Sequence, residues 1–122
     1  MYSSKFTSQA LEDIKQLPKN VRNSLKREFT QKIHVHPAEC SEALSPPLEV
    51  FRSFHYRDYR VVYQVLEDLK IVAVVGVGRK DRHHQGEIYK RLEDLARSGK
   101  LAAAVLETYR SISATDEPAD DE

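Results

Sequence analysis

Apolar residues first recur along this chain at helical spacing. Ala10, Leu11, Ile14 and Leu17 fall on one face of a helix, with Thr7 or Ser8 supplying a side-chain oxygen to cap its start and Glu12 and Asp13 near its positive end. Pro18 suits the first turn of a second helix, in which Val21, Leu25, Phe29 and Ile33 repeat every fourth residue. Lys19, Arg22, Lys26, Arg27 and Lys32 take its other sides as a solvated face. The run Tyr2 to Phe6 before this helical hairpin predicts an edge strand. Residues 37–48 hold three prolines and no periodicity, which predicts a connecting loop. His34 and His36 lack the i, i+4 spacing of a helical metal pair and read as surface residues.

From Val50 the period becomes two. Val50 and Phe54, then Tyr59, Val61, Tyr63 and Val65, are expected to look inward from two strands. A turn near Glu67 to Lys70 leads into Ile71 to Val77, whose nearly unbroken apolar run predicts a central strand buried on both faces. Glu87 to Arg97 carries Ile88, Leu92 and Leu95 on one helical side, and Ser98-Gly99 ends it. Lys100 to Ile112 predicts a further helix whose stripe of Leu101, Val105, Tyr109 and Ile112 must dock on the body or on a second copy. The fold class expected is α+β: an N-terminal strand and two-helix hairpin, an antiparallel three-stranded meander, and C-terminal helices.

Charge changes the picture only after it is localised. The 122 residues carry 19 basic and 19 acidic side chains. Five of the acids lie in the last seven positions, so residues 1–115 set 19 basic against 14 acidic groups and carry +5. A basic body suits an anionic partner and equally suits ordinary charge scatter. The tail DEPADDE holds nothing to anchor it and is expected to be disordered. The division expected is a main domain over 1–97, a helical extension over 98–115 and an acidic tail over 116–122. A lone Cys40 and the lack of a signal peptide or membrane-spanning run suggest a cytosolic protein.

With an even-residue turn near Arg57, residues Phe51, Ser53 and His55 share a face with Arg60, Val62 and Gln64, while Phe54, Val61 and Tyr63 take the other. His55 and Arg60 become neighbours. Arg79, Lys80 and Arg82 leave the next strand, and four cations converging there would form a phosphate site. The plainer alternatives are an Arg60 paired with Asp58 or Glu49, a Tyr89 packed as a helix residue, and solvated His83 and His84.

The order of Tyr59-Arg60-Val61-Val62-Tyr63, Val77-Gly78-Arg79-Lys80 and Glu87-Ile88-Tyr89 resembles the RelE/ParE superfamily of toxins from type II toxin-antitoxin systems, closest to the RelE-like mRNA interferases. The resemblance implies a metal-independent, ribosome-dependent endoribonuclease without a cofactor, with ribosome and mRNA as targets and a cognate antitoxin as partner. By its motif Arg60 binds the scissile phosphate, Arg79 or Lys80 stabilises the transition state or protonates the leaving oxygen, and Tyr89 stacks on or orients a base. Cutting RNA through its own 2'-hydroxyl requires a base, positive charge for the phosphorane and an acid. Arginine's planar fork suits the second task, and an aromatic ring holds an unstacked base. The strand before the turn lacks the basic residues of the best-known nucleases. His55, His83 or His84 is then the candidate base, since an unshifted imidazole titrates near pH ~6.5. Arg52, Arg82, His83 and His84 are further candidates for holding substrate, Arg52 only where a bulge turns it to that face. A gyrase-blocking ParE-like toxin and a non-toxic protein-binding module are the competing readings.

Overall fold

The computed structural model describes residues 1–80 and 87–110, Tyr109 by its backbone alone. The expected tail, Ile112, and the candidates Arg82, His83 and His84 lie outside the described residues. Strand β1 (Ser3–Phe6) leads into α1 (Ser8–Lys15) and α2 (Lys19–Ile33), then β2 (Glu42–Ala43), β3 (Arg52–Tyr56), β4 (Tyr59–Leu66), a 3-10 turn (Glu67–Leu69), β5 (Ile71–Arg79), α3 (Glu87–Arg97) and α4 (Lys100–Arg110). The order across the sheet is β1-β5-β4-β3-β2, with β1 parallel to β5 and the other pairs antiparallel. This is the α+β architecture anticipated from the periodicities, with one addition. The proline-rich loop contributes the two-residue strand β2, too short to leave a pattern.

The sheet separates two apolar layers. On one face Val72, Val74 and Val77 of β5, Val61 and Tyr63 of β4 and Phe54 of β3 meet Ala10 of α1 and Leu25, Phe29 and Ile33 of α2. On the other, Phe51, Val62 and Val75 meet Ile88 and Leu92 of α3 and Leu101 of α4. Thr7 caps α1 by accepting from the Ala10 N–H at 3.2 Å, satisfying a donor the helix cannot. Burial on both sides explains why β5 reads as an apolar run.

A bulge sets the parity of β5. Val62 pairs with Gly76 and Tyr63 with Val74, so Val75 is an extra residue, and Gly76 stays on the α3 side. There α3 lies close. A Cβ on Gly76 would stand 3.1 Å from Nη2 of Arg91, and one on Gly78 would stand 3.0 Å from the Cβ of Ile88.

Three expectations are corrected. His34 is buried, not superficial, because its Nε2 meets the Ser4 hydroxyl at 2.5 Å and its ring stands edge-on to Phe29. Val50 is exposed, since β3 begins only at Arg52, and Phe51 takes the buried position. Asp13, expected near the positive end of α1, lies beyond its first turn and is 8% exposed. Its carboxylate accepts from Arg91 at 2.6 and 3.2 Å and from the Val77 N–H at 3.0 Å, a donor left open because β1 pairs only as far as Val74. One carboxylate thereby ties α1, the uncovered edge of β5 and α3 together. The α4 stripe docks as expected through Leu101 and Val105.

Candidate phosphate-binding site at the hairpin tip

The site grows from the two-residue turn between β3 and β4. Tyr56 pairs with Tyr59 across it, and Arg57 takes the left-handed conformation at φ 55°. Turns of this length need a positive φ to match strand twist. The Arg57 guanidinium lies 5.1 Å from the centre of the Tyr56 ring. The even count places His55 opposite Arg60 and Ser53 opposite Val62, all on the α3 face.

Arg60 is fixed at one corner of its guanidinium. Its Nη1 donates to the carbonyls of Arg57 and Tyr59, each at 3.0 Å, whereas its Nε is a buried donor with no acceptor among the described residues. No described ion pair joins Arg60 to Asp58 or Glu49, and among the described residues its hydrogen-bond acceptors are neutral carbonyls. An unmet guanidinium donor favours an incoming anion, because leaving a buried donor unpaired costs about 1–3 kcal/mol.

Strand β5 supplies the neighbours of Arg60. Gly78 sits directly opposite and presents no side chain. Arg79 pairs with Tyr59, hence points to the other face, with its guanidinium 5.8 Å from the centre of the Tyr59 ring. Lys80 donates its backbone N–H to the Asp58 carbonyl, which carries the ladder to the tip, and its charge is felt at His55. The four-cation cluster expected from sequence is therefore not assembled among the described residues. Arg60 and Lys80 both act on His55, Arg79 turns away by one residue of parity, and Arg82 is outside the described set.

The His55 pKa is lowered from its ordinary value by partial desolvation of a ring that stays 41% exposed, next by the charge of Arg60, with Lys80 adding to the fall. Glu42 opposes them, its Oε1 lying 3.4 Å from Nε2 of His55. The balance favours a neutral imidazole with a free lone pair, which is what a proton acceptor near neutral pH requires. Tyr89 packs against the α3-side core and its hydroxyl lies 2.8 Å from that of Ser53. Ser53 precedes His55 by two residues on the same face, a step of about 6–7 Å. The phenol thus borders the same surface.

Arg52 is not brought to it. Paired with Tyr63 on the opposite face, it donates Nε to the Ser41 hydroxyl at 2.7 Å and Nη2 to the Ala38 and Ser41 carbonyls at 2.9 Å. Those bonds pin the proline-rich loop. Two residues of the surface escaped the sequence reading: Ser53, visible there only as a face position, and Glu42, which no periodicity marks. Among the described residues no cluster of His, Cys, Asp and Glu could hold a metal ion, and no helix is long and apolar enough to cross a membrane.

Comparison with known proteins bears on the family and the fold. The family model described as the ParE toxin of type II toxin-antitoxin system, parDE, matches residues 5–84. The isolated RelE toxin of E. coli is 28% identical over 75% of this chain and 99% of its own, with a TM-score of 0.58. RelE in the intact E. coli RelBE toxin-antitoxin complex is 27% identical over 67% of this chain and 100% of its own, with a TM-score of 0.56. The RelBE2 toxin-antitoxin complex of Mycobacterium tuberculosis, at 22% identity over 65% of this chain and 98% of its own and a TM-score of 0.59, shares the fold. No curated protein sequence matches.

Proposed function

The chain belongs to the family of ParE toxins of type II toxin-antitoxin systems within the RelE/ParE superfamily, and from that premise we propose that it is an endoribonuclease that cuts mRNA on the ribosome and is held in check by a cognate antitoxin. The observation that carries this reading is the cross-strand pair of His55 and Arg60, an imidazole biased towards its neutral form beside a guanidinium with an unmet donor. The 28% identity to RelE supports the nuclease branch, and the solution of RelE relatives as complexes with antitoxins supports the partner.

In the proposed reaction His55 takes the proton of the 2'-hydroxyl. The 2'-oxygen then bonds to phosphorus while the bond from phosphorus to the 5'-oxygen breaks. Arg60 holds the non-bridging oxygens, whose charge grows in the phosphorane, and does so without reorganising because two carbonyls already orient it. Lys80 adds positive charge and gives the departing 5'-oxygen its proton. The products are a 2',3'-cyclic phosphate and a 5'-hydroxyl. Tyr89 offers its ring to an unstacked base.

The match to a ParE family model favours a second reading, in which the same scaffold binds DNA gyrase and cuts nothing. Expression of wild type and Arg60→Ala in cells separates the two. Wild type is expected to stop protein synthesis while plasmid supercoiling is unchanged, and Arg60→Ala to restore synthesis and growth. Altered supercoiling, or undiminished toxicity in the variant, contradicts the nuclease reading; the absence of any growth effect points to a non-toxic binding module.

A further inference from the structure

Glu42 stands in a segment with no pattern of its own; strand pairing places its backbone, and its side chain, 73% exposed, reaches towards His55. Pairing of β2 with β3 sets Glu42 against Ser53 and Ala43 against Arg52. The one acidic side chain of β2 thus joins the face of Ser53, His55 and Arg60. The preceding residue, Ser41, is held through both its hydroxyl and its carbonyl by the guanidinium of Arg52. Arg52, absent from the site itself, therefore secures the backbone from which Glu42 reaches His55 at 3.4 Å.

We propose that Glu42 is a positioning residue for the nuclease reaction, holding the proton of neutral His55 on Nε2 so that Nδ1 carries the lone pair that accepts the 2'-hydroxyl proton. This rests on the nuclease reading above. A carboxylate facing one ring nitrogen fixes which nitrogen bears the proton. It also steadies the imidazolium formed when the second nitrogen is protonated. The described charged groups that face the ring are Glu42 from β2, Arg60 from β4 and Lys80 after β5. The two cations oppose a charged ring, as does burial, and Glu42 alone favours it. Removing the carboxylate lowers the titration midpoint, whereas removing its accepting oxygen as well frees the tautomer.

The test uses the full chain labelled with 15N, following the His55 ring nitrogens through a pH titration in wild type, Glu42→Gln and Glu42→Ala. Wild type is expected to carry its neutral-state proton on Nε2. Glu42→Gln should move the midpoint to lower pH and keep that tautomer, since its amide oxygen still accepts. Glu42→Ala should lower the midpoint and mix the tautomers. With ribosome-bound mRNA, the acid limb of kcat should follow the midpoint to lower pH in Glu42→Gln, and kcat should fall about tenfold in Glu42→Ala with KM unchanged. An unshifted midpoint and an unmixed tautomer in Glu42→Ala overturn the proposal and leave the nuclease reading standing. The expected ring spectra from a wild type that cuts no RNA overturn the nuclease reading, and the catalytic part of Glu42 with it, while the contact remains.

Discussion

One residue of parity separates Arg60 from Arg79. Both are arginines at the same end of adjacent strands, but Arg60 lies opposite Gly78 and shares the α3 face, whereas Arg79 lies opposite Tyr59 and stacks on the other side. The pairing of His55 with Arg60 was legible from the sequence because an even-residue turn leaves a single choice of faces. The turning away of Arg79 follows from a register that involves a bulge at Val75, and a bulge in an all-apolar strand leaves no mark in the sequence. Asp13 was equally hidden, since an acidic residue in the second turn of a short helix carries no sequence mark of burial. Its removal strands the Val77 N–H and a partly buried Arg91. Asp13→Ala is accordingly expected to cost about 2–4 kcal/mol in urea denaturation with an unchanged slope. A loss below ~0.5 kcal/mol would show that the three-way bond contributes little.

Elements act on the site through their distance from one another. Helix α3 can bring Tyr89 to Ser53 only by lying almost on the β5 backbone, and Gly76 and Gly78 permit that approach. A methyl at Gly78 would meet the Cβ of Ile88, part of the helix stem with no rotamer to yield. Gly78→Ala should therefore push α3 outward, destabilising the fold by about 1–3 kcal/mol and weakening the Tyr89 contact with Ser53. Thermal melting together with the exchange rate of the Tyr89 hydroxyl proton checks both effects. An unaltered melt would mean the helix shifts freely. Element types were legible wherever a period ran for a full helix or strand, as in α2 and β5. The loop of residues 37–48 was not, because its order comes from contacts distant in sequence: Arg52 to Ser41 and Ala38, and Tyr63 to the Pro37 carbonyl.

For the whole molecule, a sheet covered on both sides places the proposed functional groups at the end of the β3–β4 hairpin, where His55 and Arg60 pair beside the turn. Residues 1–115 carry a net +5, and a basic body speeds encounter with a polyanion more than it defines a cut. RelE of E. coli corresponds to 75% of this chain, so about a quarter of the chain has no counterpart there, and α4 with its buried Leu101 enlarges the layer beneath α3. The central claim is that a phosphate is received on the face of His55, Arg60 and Lys80 and not on the face of Arg79. The direct measurement is the rate of cleavage of ribosome-bound mRNA by purified wild type, Arg60→Ala and Arg79→Ala. The account predicts that Arg60→Ala loses about 100- to 1000-fold in kcat, the scale for removing one preorganised donor to a developing anion, while Arg79→Ala keeps most of its activity. Equal losses in the two variants, or the greater loss in Arg79→Ala, would contradict it.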